Sequence, residues 1–279
     1  MQKRIGIIGC GTIGHELASA IDNSYVGDVA LVFLFDTITN ASSNLKDRLV
    51  NNNPSIFSKF SDLTSSQSYK QADIVVEAAS QEAVRMFAEK IVSSNKSLMI
   101  MSTGALSDSH LLDALYNAVT QHNGRIYVPT GAIAGIDAIR SVRHLLDFVM
   151  LTTTKNPKAL AGAPFFELRS INPESIKKRT LLYEGNASDA TKMFPSNVNV
   201  AVVLSLAGRG TINTMVRVIA DPHATQNEHE IIARGRFGEI SILVRNTPSP
   251  SNPKTSYLAS LSAIECLRRI CDDKIRIGT

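Results

Sequence analysis

The chain has 279 residues, of which 44% are apolar and 19% charged, and a net charge of +4. That balance excludes a disordered chain and allows two modest domains or one large one. Scattered basic residues offer nothing to nucleic acid, and no apolar run is long enough to cross a bilayer, so the expected partner is a small molecule, and the slight positive charge suits an anionic one.

Ile5 to Ile8 reads as a buried strand. Gly9, Gly11 and Gly14 follow it in GxGxxG spacing, and Ile13 to Ile21 repeats apolar residues (Ile13, Leu17, Ile21) at helical intervals. Strand, glycine turn and helix in that order suit a dinucleotide pyrophosphate. Gly9 allows the tight turn, Gly11 lets the backbone approach the phosphates, and Gly14 lets the helix pack on the strand. The free N–H groups of the helix start, at Thr12 and Ile13, then face the anion. A lone glycine motif is weak, but a second apolar run, Val29 to Phe35, ends in Asp36. An acidic residue there accepts hydrogen bonds from ribose hydroxyls and repels a 2′-phosphate, which predicts NAD in preference to NADP.

A polar, helix-compatible stretch follows, then a buried strand over Asp73–Ala78, a helix over Gln81–Val92 and a strand over Ser97–Ser102. A helix from about Asp108 to Ala118 leads to a strand over Arg125–Val128. This alternation predicts a parallel sheet covered on both faces, with ligands at the carboxyl ends of its strands. Ala78-Ala79-Ser80, Ser102-Thr103-Gly104 and Thr130-Gly131-Ala132 then lie along one rim, where small residues either leave room for a nicotinamide or merely form short turns. Ala79 is the cofactor contact expected from the first of these.

Beyond residue 130 the pattern changes. Strands rich in β-branched residues are predicted over Phe148–Thr154, Thr214–Ala220, Glu230–Arg234 and Glu239–Arg245, with a hairpin loop at Gly235–Gly238 and an apolar helix over Asn197–Ala207. The expected class is α/β: a dinucleotide-binding domain over 1–130 and an α+β domain with a mainly antiparallel sheet over 131–253. Pro248, Pro250 and Pro253 read as a linker. A final helix, about 254–272, capped by Thr255 or Ser256, carries Leu258, Leu261, Ile264, Leu267 and Ile270 on one face and is expected to pack back on the first domain.

The three cysteines, Cys10, Cys266 and Cys271, lack metal-ligand spacing, so no metal site is expected. They read as reduced thiols in a cytoplasmic protein, and the first strand begins too near the initiator methionine for a secretory signal. Histidine is the natural group to move a proton near neutral pH. His15, His110, His122 and His144 fall in ordinary helical or turn contexts. His223 and His229 stand in the polar segment Asp221–Glu230, read as a loop between strands, with His229 at the strand edge and slightly favoured because Asn227, two residues before it, could share its face. In Met193–Ala201, one of Asn197 and Asn199 could cap the following helix and the other could reach a nicotinamide carboxamide or the substrate.

Phe194-Pro-Ser-Asn-Val-Asn-Val-Ala201, Ala220-Asp-Pro222 with Asn227-Glu-His229, and Asn246-Thr-Pro-Ser-Pro-Ser-Asn-Pro-Lys-Thr255 resemble signature segments of the L-aspartate dehydrogenases. So do Ser102–Leu106 and Thr130–Gly135. The resemblance runs through nearly the whole chain. It implies a Rossmann domain, a second domain whose sheet supports a homodimer, and oxidation of L-aspartate with NAD or NADP to iminoaspartate, or to oxaloacetate and ammonia. It also implies a link to NAD biosynthesis, with a quinolinate-forming enzyme as pathway neighbour. Carried over by motif, His229 matches the active-site histidine, and Ala132 and Asn199 match cofactor contacts. Arg209, Arg217 and Lys254 are available for the substrate carboxylates, and nothing in the sequence chooses among them. The alternatives are another two-domain amino-acid or oxo-acid dehydrogenase or reductase, or a non-catalytic NAD sensor. The paired-histidine and lysine motif of the dihydrodipicolinate reductases is missing, as is a Tyr-x-x-x-Lys pair.

Overall fold

The computed structural model describes residues 2–195, 199–250, 252–271 and 274–275, with the side chains of 252–254 set aside. Two compact units result. One comprises the chain up to Pro129 together with the C-terminal helix from Ser260, and the other comprises Thr130–Ala259.

The first unit holds strands β1 (Lys3–Ile8), β2 (Val29–Phe35), β3 (Ser55–Phe57), β4 (Ile74–Glu77), β5 (Ser97–Ile100) and β6 (Ile126–Tyr127). Its helices are α1 (Thr12–Asp22), α2 (Thr39–Lys46), α3 (Phe60–Ser65), α4 (Gln67–Gln71), α5 (Gln81–Ser93) and α6 (Ser109–Gln121). The strands pair in parallel in the order β3-β2-β1-β4-β5-β6, so the direction of winding reverses between β1 and β4. Near-continuous burial of β1, β2 and β4 is what a sheet covered on both faces requires. Leu17, Ala18 and Ile21 of α1 pack there against Ile5, Ile7, Leu31 and Val76.

The second unit holds α7 (Ile136–Ser141), β7 (Leu146–Lys155), α8 (Pro157–Leu160), α9 (Pro164–Leu168), β8 (Thr180–Asn186), α10 (Ala187–Met193) and α11 (Asn199–Ala207). These are followed by β9 (Met215–Ala220), β10 (Asn227–Gly235), β11 (Gly238–Asn246), β12 (Pro248–Ser249) and β13 (Asn252–Ser256). A mixed sheet runs β11-β10-β7-β9-β8, parallel only between β7 and β9. The α/β class and the mainly antiparallel second sheet are therefore as the sequence predicts. The β10–β11 hairpin closes through Arg236 and Phe237, with Gly238 at a φ of +115° that a side chain would resist.

Several expectations are corrected. The proline-rich stretch pairs as a small antiparallel hairpin, β12 with β13, rather than serving as a plain linker. Strands β3 and β8 were not foreseen. Both are sheet edges, and β8 carries a bulge and leaves Leu181 exposed, which erases its alternation. The last helix, α12 (Tyr257–Cys271), starts directly after Ser256, and its Ala263 and Leu267 are buried in the core of the first unit. Asn197 lies outside the described residues.

Candidate active site

In the first unit the glycine turn has the geometry that a dinucleotide requires. Gly9 sits at φ +98°, and a Cβ there would lie 2.5 Å from the backbone of Ala78. A Cβ on Gly14 would meet the carbonyl oxygen of Gly9 at 2.0 Å, so this glycine sets how closely α1 approaches the strand. Gly11 differs: nothing lies within 4 Å of its added Cβ, and as the N-cap of α1 it supplies no side-chain cap. The first N–H groups of α1, at Thr12 and Ile13, thus start a helix beside open space, which fits a phosphate. One Asp36 carboxylate oxygen accepts from the Cys10 N–H (2.8 Å) and the other from the Ile38 N–H (2.9 Å). The carboxylate therefore braces the glycine turn at the end of β2, where a ribose would sit. Cys10 is buried, and burial with the nearby Asp36 charge pushes its thiol up to about 12, so it is not a nucleophile.

Sequence reasoning passed over Glu77, the last residue of β4. It is 2% exposed and accepts from Ala79 N–H (2.8 Å), Ser80 N–H (2.9 Å), Ser102 N–H (3.0 Å) and the Ser102 hydroxyl (2.8 Å). Burial raises its pKa and these donors oppose the rise. Two of the three rim segments are thereby tied to one carboxylate. Ala79 is exposed, with its N–H committed to Glu77, whereas Thr103 and Gly104 are buried in a 3-10 turn. A charged residue closing an apolar strand was the available signal for Glu77.

In the second unit His229 is 1% exposed. It lies inside β10, which begins at Asn227, rather than at the strand edge expected for it, and on the buried face with Asn227, Ile231 and Ala233. Its partner across the sheet is Thr153 of β7, whose Oγ1 lies 3.0 Å from His229 Nδ1. Burial first, and the charge of Lys155 second, hold the imidazole down to about 3. His223 is exposed in the loop before β10, whose carbonyls at Pro222 and Ala224 accept from the Asn156 amide.

Asn227 shares the face of His229, as expected, and its Nδ2 donates to the Ser256 hydroxyl (3.2 Å). Opposite Asn227 on β11 stands Asn246, 3% exposed, which donates to the Ala132 carbonyl (2.9 Å). That bond anchors the segment 131–135, and a Cβ on Gly135, at φ +70°, would strike Ile242 of β11 at 2.2 Å. Ala132 itself is buried, and Asn199 begins α11, half-buried. Of the predicted cations, Arg217 pairs with Glu184 (2.5 Å) and Arg209 donates to the Asp147 carbonyl, while the side chain of Lys254 lies outside the described residues. Lys155, which the sequence did not single out, is 6% exposed at the end of β7.

A parallel sheet with this glycine turn, an acidic residue closing its second strand, and a separate unit holding a buried histidine define a two-domain nicotinamide-nucleotide-dependent dehydrogenase. Residues 9–129 match the family model for the NAD binding domain of homoserine dehydrogenase, and residues 137–270 match that for the C-terminal domain of aspartate dehydrogenase. The L-aspartate dehydrogenase of Nitrosopumilus maritimus is 45% identical over 278 residues, with all of both chains covered. That of Methanocaldococcus jannaschii is 35% identical over 277 residues, covering 99% of each. In fold, the chain is similar to aspartate dehydrogenase from Thermotoga maritima (TM-score 0.75, 24% identity, all of both chains). It is also similar to scyllo-inositol dehydrogenase from Lactobacillus casei, solved with NAD(H) (TM-score 0.59, 14% identity, all of this chain and 92% of the other). The chain belongs to the L-aspartate dehydrogenase family.

Proposed function

We propose that this enzyme oxidises L-aspartate to iminoaspartate, which water converts to oxaloacetate and ammonia. The observation that carries the reading is the full-length identity to named L-aspartate dehydrogenases, joined to a histidine buried on the sheet face at the position the family motif assigns. Gly9, Gly11, Thr12, Ile13, Asp36 and Ala79 would hold the nucleotide, and the family resemblance assigns Ala132 and Asn199 to the cofactor as well. When bound, the nicotinamide supplies the acceptor for the hydride from substrate Cα.

The residues of the chain handle the proton. Thr153 occupies Nδ1 of His229, so Nε2 is the nitrogen left to meet the substrate. For Nε2 to accept, Nδ1–H must donate to Thr153 Oγ1, and the threonine then fixes both tautomer and ring orientation. Nε2 takes the proton released from the amino group or from the attacking water. The depressed basicity keeps the imidazole neutral in the resting enzyme.

Asp36 supports NAD over NADP by its negative charge beside the ribose position. The outer face of the second sheet supports a homodimer. Met150, Ile232 and Met215 are cross-strand neighbours there, only half-buried, and Leu181 and Leu243 are 53% and 46% exposed. Ion pairs Arg234–Glu239, Arg245–Glu228 and Arg217–Glu184 lie on the same face, an apolar centre with charged surroundings that suits a second copy. Unbridged Cys10, Cys266 and Cys271 suit a cytoplasmic setting, where the iminoaspartate would serve a quinolinate-forming enzyme.

The test is reduction of NAD or NADP by the purified protein with L-aspartate, with L-glutamate, L-alanine and L-malate as controls. Turnover of aspartate above the others is expected. Binding of NAD without turnover of any of the four would favour the sensor reading, and equal efficiency with NADP would remove the role given to Asp36.

A further inference from the structure

Lys155 closes β7 two residues beyond Thr153, so strand alternation puts both on the face that carries His229. On the neighbouring strands that face continues as Val218 and Ala220 of β9 and as Asn227 and His229 of β10, with Asn246 of β11 beyond. Thr153, Lys155, Asn227, His229 and Asn246 are all buried. A lysine is costly in such a place, and proteins seldom keep one there without use for its charge. Burial lowers its pKa to about 8, which leaves the ammonium mostly charged at neutral pH, and His229 lies within its field. The arginines that sequence offered as carboxylate ligands are engaged elsewhere: Arg217 sits on the opposite face of the sheet with Glu184, and Arg209 is tied to the Asp147 carbonyl.

We propose that Lys155 binds a carboxylate of the amino-acid substrate beside His229, an inference that rests on the L-aspartate reading above. An ammonium–carboxylate contact among buried polar groups is short, strong and selective for anionic ligands. It also links binding to proton transfer. A carboxylate seated on Lys155 cancels the positive charge that, after burial, suppresses the basicity of His229. The histidine thus becomes a better proton acceptor when an anionic substrate arrives, and stays weak towards a neutral amine. Lys155 and His229 are the titratable groups among the buried residues that β7, β9, β10 and β11 place on this face.

The experiment compares the full-length wild type with Lys155→Met, which replaces the ammonium by an apolar group of similar reach. Three quantities are measured: the dissociation constant for NADH, KM and kcat for L-aspartate, and calorimetric binding of succinate to the NADH-loaded enzyme. NADH affinity is expected to stay within about twofold, while KM and the succinate dissociation constant rise by about tenfold or more, the loss of one charged hydrogen bond. Lys155→Arg, which keeps the charge, should recover part of the succinate affinity. KM and succinate binding within twofold of wild type in Lys155→Met would overturn the assignment. If Lys155→Met does not fold, Lys155→Gln is read by the same criteria. Should the wild type fail to turn over L-aspartate, the functional reading falls. Succinate binding that depends on Lys155 would then still support a carboxylate site, and binding that ignores it would remove both.

Discussion

Acid should destabilise this protein through one buried side chain, His229. Its folded pKa, about 3, lies below the ordinary histidine value of 6.5, because burial and then the Lys155 charge disfavour the imidazolium. The unfolded chain therefore binds a proton that the folded chain refuses wherever the pH lies between those values. Stability that is whole above pH 6.5 falls as the pH drops, at about 1.4 kcal/mol per unit, until the folded group titrates near 3. At pH 5 the loss from this residue is ~2 kcal/mol. The assay is urea unfolding by far-UV circular dichroism for wild type and His229→Gln at half-unit steps from pH 8 to pH 4.5. Glutamine can still bond Thr153, so its own cost enters as a constant, and titrations common to both proteins cancel in the difference. That difference should be flat above pH 7 and then shift by ~2 kcal/mol in favour of the variant by pH 5. Two curves that stay parallel across the whole range would refute a neutral buried imidazole, and with it the proton-accepting state on which the mechanism depends.

Other expectations follow from the same geometry. Glu77→Gln keeps the shape but sets an amide N–H₂ against a backbone or hydroxyl donor of the rim, at a cost of about 2–4 kcal/mol, visible as a lower thermal midpoint and weaker NADH binding; an unchanged midpoint would mean that the carboxylate does not hold the rim. Gly9→Ala should lower both stability and NADH affinity, because its Cβ meets the Ala78 backbone at 2.5 Å, whereas Gly11→Ala should leave the midpoint unchanged and weaken NADH by about tenfold. Equal midpoints for the two variants would contradict the assignment of these glycines. Ile232→Glu, in the middle of the outer face of the second sheet, should convert a homodimer to a folded monomer by analytical ultracentrifugation, and wild-type protein sedimenting as a single 30.2 kDa chain would remove the dimer from the proposal.

By itself the sequence carried the first unit almost whole. Burial on both faces of β1, β2 and β4 imposes long apolar runs, and close backbone packing around the turn admits only glycine at Gly9 and Gly14, so local chemistry writes the fold into the string. The long strands of the second unit were legible for the same reason. Edge strands β3 and β8 were not, since half-exposed residues need no strict alternation. The proline stretch looked like a linker because three missing N–H donors hide a two-strand pairing that uses other residues.

Tertiary structure decided the site. His229 looked like a residue at the edge of a strand beside a polar loop, yet β10 buries it, and only pairing with β7 brings Thr153 to its ring from 76 positions away. Glu77 and Lys155 carry no motif, and Asn246 opens a family segment that gives it no role. Their meaning comes from what the sheets bring together: a rim for Glu77, the Ala132 carbonyl for Asn246, and a histidine for Lys155. Local patterns specify which face of an element is buried, but the partners that turn a buried polar group from a liability into a working one are set by cross-strand register, which no short stretch of sequence contains.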